Sequence, residues 1–68
     1  MVLKNYLKVW RAKRDITQAE LALAVGLSRQ TINSVEKGVF VPSVVSAMKL
    51  ASFFETTVEE IFYFEEKQ

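Results

Sequence analysis

Arg29, Gln30, Asn33, Ser34 and Lys37 stand at spacings i, i+1, i+4, i+5 and i+8. On a helix of 3.6 residues per turn they share one face. An arginine guanidinium can fork onto O6 and N7 of guanine, and a glutamine or asparagine amide onto N6 and N7 of adenine. Arg29, Gln30, Asn33 and Ser34 are therefore candidates for reading base edges in the major groove of double-stranded DNA. Gln18, Thr31 and Lys37 are candidates for phosphate contacts, which position a protein without reading sequence. Gln18 opens a predicted helix, where its amide and the unpaired backbone N–H groups can hold an anion with the help of the helix dipole. Lys8, Lys13 and Arg14 are secondary phosphate candidates.

The residue types also exclude chemistry. The 68 residues contain no histidine and no cysteine. The commonest general base, thiolate nucleophiles, thiolate metal sites and disulfides are thereby removed. An active site would have to be built from Asp, Glu, Lys or Tyr in a pocket that a chain this small does not provide. We therefore expect a binding protein and not an enzyme, with no metal and no cofactor. No apolar run approaches the ~20 residues that span a membrane, and Met1 to Lys8 lacks the apolar stretch of a signal peptide. The expected location is the cytoplasm.

These side chains must be held by a scaffold, and the pattern predicts one all-α domain of five helices over residues 1–68. Helix 1 is expected over Lys4 to Arg14, with Leu3, Leu7 and Trp10 at helical spacing. Helix 2 opens on Thr17-Gln18-Ala19-Glu20, a capping box, and ends at Gly26, where a left-handed residue suits the chain. Ser28 can cap helix 3, Arg29 to Lys37, whose apolar residues Ile32 and Val35 form a narrow stripe. Ser43 can cap helix 4, from Val44 to about Phe54. Thr57-Val58-Glu59-Glu60 is a second capping box, opening a short helix 5 that ends near Phe62. The tail Phe62-Tyr63-Phe64 favours an extended form and could pair with Met1-Val2-Leu3 as a two-stranded ribbon.

Charge is divided along the chain. Residues 1–50 hold eight Lys or Arg against three acids, and residues 51–68 hold one against five. A basic front and an acidic back suit a polyanion bound on one side.

Residues 17–38, TQAELALAVGLSRQTINSVEKG, resemble the helix-turn-helix of the lambda Cro/repressor family, also called the xenobiotic-response-element family. The resemblance rests on Gln18, Ala22, Gly26, Ile32, Val35 and Glu36. It continues through Pro42-Ser43, Lys49-Leu50-Ala51 and Glu60-Ile61-Phe62. It implies a dimeric transcriptional regulator, acting as a repressor on a pseudo-palindromic operator. It implies base contacts at Arg29, Gln30 and Ser34; Asn33 is added from helical spacing. It also implies a structural ion pair between Arg11 and Glu36, and a dimer interface around helix 5. Phe53, Val58, Ile61, Phe62 and Phe64 are the candidate interface residues, being more apolar surface than a small monomer buries. An alternative partner for that surface is a protein such as a toxin neutralised by this chain. Trp10 stands where the family usually has leucine, so the core is expected to open locally, and its indole N–H needs an acceptor.

Overall fold

The computed structural model describes residues 2–66. In chain order its elements are β1 (Val2–Asn5), α1 (Leu7–Lys13), α2 (Gln18–Val25), α3 (Arg29–Glu36), α4 (Val44–Phe53), α5 (Val58–Ile61) and β2 (Phe62–Glu65). The expected five helices and terminal ribbon are present.

Four of the helices start where a hydroxyl takes an amide that the helix itself leaves unpaired. The Thr17 hydroxyl accepts from the Glu20 amide at 3.0 Å, and the Glu20 carboxylate accepts from the Thr17 amide at 2.8 Å, completing the box. The Ser28 hydroxyl accepts from Thr31, and the Ser43 hydroxyl from Ser46, at 3.0 and 3.1 Å. At Thr57 only half of the expected box forms among the described residues: its hydroxyl accepts from the Glu60 amide at 3.3 Å. Gly26 ends α2 at φ 73°, and the Gly26 and Leu27 amides both donate to the Ala22 carbonyl. This left-handed stop lets the chain reverse within a few residues and send α3 across α2.

Helix 1 is shorter than expected. Lys4 and Asn5 belong to β1, together with the expected ribbon residue Leu3. The spacing of Leu3 and Leu7 fits a helix, but Val2–Asn5 alternates exposed and half-buried as a strand does. A partner strand decides between them: β1 and β2 pair antiparallel, with Leu3 opposite Phe64 and Asn5 opposite Phe62. The expected pairing partner Met1 lies outside the described residues. Tyr6 stacks on Tyr63 with ring centroids 4.5 Å apart, and its amide donates to the Ile61 carbonyl at 2.8 Å. The ribbon is thus fastened to the start of α1.

Leu7, Leu21, Ile32, Leu50 and Ile61 are fully buried and draw all five helices onto one core. Ala22 is 3% exposed; its small side chain is what lets α2 and α3 approach closely. Trp10 does not open the core. It sits half-buried at the edge, its ring 6.0 Å from that of Phe54, and its indole N–H donates to the Glu60 carbonyl at 3.3 Å.

Two turns are held by residues poorly suited to them. Asp15 and Glu55 have φ of 53° and 56°, a left-handed region that disfavours side chains other than glycine. Glu55 is the clearer case, because its carboxylate is exposed and its contact with Arg14 is long, at 3.4 Å. Such a pair contributes little. Glu55→Gly should stabilise the domain by about 0.5–1 kcal/mol, read as a melting temperature several degrees higher. A lower melting temperature in the folded variant would show that the Arg14 contact outweighs the backbone strain.

Candidate nucleic-acid interface

α3 is anchored at its C-terminal end and free at its N-terminal end. Ile32 and Val35 are buried and fix which face turns inward. The Ser34 carbonyl accepts from the amides of Val39 and Phe40, which closes the chain after Gly38 at φ 76°. Arg29, Gln30 and Lys37 are exposed; Thr31, Asn33 and Ser34 are half-buried. The four candidate base readers therefore divide, with Arg29 and Gln30 leading at the free end and Asn33 and Ser34 set lower along the helix. The Thr31 hydroxyl lies 2.8 Å from that of Ser28, within the cap of the same helix.

Glu36 is the hub of the anchored end. Its Oε2 accepts from Arg11 Nε at 2.7 Å and its Oε1 from Arg11 Nη2 at 3.2 Å, a bidentate pair. Arg11 Nη1 also donates to the Ile16 carbonyl at 2.9 Å, so one side chain joins α1, the turn before α2 and the end of α3. The side chains of Arg11 and Glu36 are only 16% and 7% exposed. The hydrogen bond to Glu36 raises the Arg11 pKa further above its ordinary value, outweighing the opposing effect of burial. The guanidinium thus stays charged at every working pH.

Gln18 does not stand free for a phosphate. Its Nε2 donates to Glu36 Oε1 at 3.0 Å and to Asn33 Oδ1 at 3.2 Å. Both amide hydrogens are thereby committed between α2 and α3, and only an acceptor oxygen is left. A phosphate approaching this end of α2 would meet the first-turn backbone N–H groups instead. The same contact holds the Asn33 amide toward α2. Of the secondary basic candidates, Lys13 lies over the Trp10 ring at 4.3 Å, and Arg14 reaches Glu55 and the rings of Phe53 and Phe54.

The candidate dimer residues also separate. Val58, Phe62 and Phe64 line one apolar groove with Leu3, Val41, Pro42, Val44 and Ala47. Ile61 is 0% exposed and belongs to the core, so no partner can touch it. In so short a helix the inward position is decided by packing against α4 and the assembled core, not by local sequence. Phe53 is half-buried and lines a different depression with Leu23, Val25 and Lys49; it is not part of the groove.

Asn5 went unnoticed in the sequence because it reads as part of the first turn of helix 1. Its Nδ2 donates to the Val35 carbonyl in the last turn of α3 at 2.9 Å, and its Oδ1 accepts from the Leu7 amide at 3.0 Å. Among the described residues no three His, Cys, Asp or Glu side chains come together to hold a metal. No helix there is long and apolar enough to cross a membrane.

The Helix-turn-helix family matches residues 7–61 of the chain. An uncharacterized HTH-type transcriptional regulator of Methanocaldococcus jannaschii is 46% identical over 66 residues, covering 97% of this chain and 100% of that protein. The uncharacterized HTH-type transcriptional regulator YgzD of Bacillus subtilis is 38% identical over 65 residues, covering 96% and 98%. The cryptic phage CTXphi transcriptional repressor RstR of Vibrio cholerae is 33% identical over 51 residues, covering 75% of this chain and 46% of that protein.

Proposed function

Since the chain belongs to the Cro/C1-type helix-turn-helix family of DNA-binding transcriptional regulators, we propose that it acts as a dimeric repressor, with α3 in the major groove of a pseudo-palindromic operator. The observation that carries this reading is the asymmetry of α3. Its far end is tied to α1 and α2 through Glu36, while Arg29 and Gln30 stand exposed at the leading end. A helix held this way presents forked donors on a rigid arm, which is what base recognition needs. Ser34 follows one turn behind, and Asn33 beside it once Gln18 releases or shares its amide. Lys37, Thr31 and the N-terminal amides of α2 take the phosphates. The name of RstR supports repression as the outcome. The groove lined by Val58, Phe62 and Phe64 supports pairing of two copies.

Selection of bound duplexes from a random DNA pool, followed by affinity measurements on the selected site, tests the reading. Arg29→Ala should weaken that site by about 1–3 kcal/mol and relax the preference at one base pair. Lys37→Ala should weaken all duplexes alike and lower the salt dependence by about one counterion. If the two variants lose affinity equally on selected and random DNA, Arg29 is not a base reader.

A further inference from the structure

The last turn of α3 is gripped from three sides: by Arg11 through Glu36, by Gln18 through Glu36 and Asn33, and by Asn5 through the Val35 carbonyl. Asn5 differs from the other two in where it stands. It is the final residue of β1, paired with Phe62 of β2, and the amide of the next residue, Tyr6, is held by Ile61. Its backbone is therefore fixed by the ribbon, and its carboxamide has two jobs. The oxygen caps α1 at Leu7, and the nitrogen meets the C-terminal end of α3.

We propose that Asn5 is a positioning residue for DNA reading: it transmits the placement of the β1–β2 ribbon to α3 and so sets the angle at which Arg29 and Gln30 meet the base edges. The inference rests on the reading of α3 as the DNA-reading helix. Leverage makes the bond matter. Val35 lies six residues from Arg29, about 9 Å along the helix axis. A tilt of about 5° at Val35 then moves the leading end by nearly 1 Å, enough to spoil a forked hydrogen bond. The chemistry requires an amide. The Val35 carbonyl already accepts from the Gly38 amide at 3.0 Å, and its second lone pair lies at the partly negative end of the helix, so a further neutral N–H donor suits it where a carboxylate would be repelled. The same side chain must also offer an acceptor to Leu7, which no cation does.

Asn5→Ser keeps a short acceptor for the Leu7 amide, adds no charge and is too short to reach Val35. Its affinity for the selected site and for a random duplex should be measured at one salt concentration, well below the melting temperature. The ratio of the two affinities should narrow by about tenfold relative to wild type, the range a misplaced base contact produces. A purely structural role would lower the melting temperature and leave that ratio unchanged in the folded protein. If Asn5→Ser does not fold, Asn5→Asp replaces it: the cap survives, and the added charge weakens both duplexes and cancels in the ratio. In the wild type, the Asn5 carboxamide proton resonances should move when the selected duplex is added and stay in place with random DNA. An unchanged ratio in a folded variant, or a carboxamide indifferent to the selected duplex, overturns the role of Asn5 alone. A wild type that prefers no sequence overturns the DNA-reading of α3 itself.

Discussion

Replacing Arg11 with alanine should destabilise the domain by about 3 kcal/mol, because it leaves the Glu36 carboxylate nearly buried without its charged partner. The side chain of Glu36 is 7% exposed, so water cannot replace the lost guanidinium. The single remaining contact from Gln18, at 3.0 Å, is to a neutral amide. Arg11→Ala also strands the Ile16 carbonyl. For a domain of this size the loss corresponds to a melting temperature lower by roughly 10–20 °C, a large share of a net stability of about 3–10 kcal/mol. Adding Glu36→Gln should recover part of it, since a neutral amide is cheaper to leave unpaired and still accepts from Gln18. Arg11→Lys should recover less than the native fork, offering a point charge where two parallel bonds are needed. Thermal melts of the four proteins, with affinity measured separately, decide the matter. If Arg11→Ala melts like wild type and binds DNA poorly, Arg11 is a phosphate contact and not the tie that holds α3.

How much of this was legible in the sequence follows the range of the interaction concerned. Helix starts were legible because a cap is local: Thr17, Ser28, Ser43 and Thr57 each bond within three residues. Gly26 was legible for the same reason. The place of Lys4 and Asn5 was not, because the spacing of Leu3 and Leu7 fits a helix through them, and only a strand nearly sixty residues away extends the expected ribbon that far. Ile61 was misplaced because an apolar residue near the chain end reads as surplus until the core is assembled. Gln18 was half legible. Its place at the start of α2 is sequence information, but the commitment of its amide to Asn33 and Glu36 depends on how steeply α3 crosses. Asn5 was hidden twice, by the wrong element and by a partner thirty residues distant.

Phe64→Glu should convert the protein to monomers and lower its affinity for a pseudo-palindromic site by about 10²–10⁴-fold, the range gained by linking two binding modules. A single α3 reads only about four or five base pairs, too few to address a genome. Two copies related by a twofold axis double that and place their reading helices about one DNA turn apart, roughly 34 Å. A protomer measures 37 × 23 × 22 Å, so two copies side by side or end to end bracket that spacing. The proposed meeting surface is the groove of Val58, Phe62 and Phe64, on the acidic third of the chain where DNA is repelled. Phe64 is 63% exposed and lies opposite Leu3 in the ribbon. A carboxylate there faces solvent in the monomer and would be buried in the dimer, which costs several kcal/mol only in the paired state. The variant should therefore melt close to a wild-type monomer, bind random DNA with little change per protomer, and lose the selected site. Sedimentation at micromolar concentration with and without the duplex separates the outcomes. A wild type that stays monomeric and binds one copy per selected duplex, or a Phe64→Glu variant that still binds two together, excludes pairing through this groove.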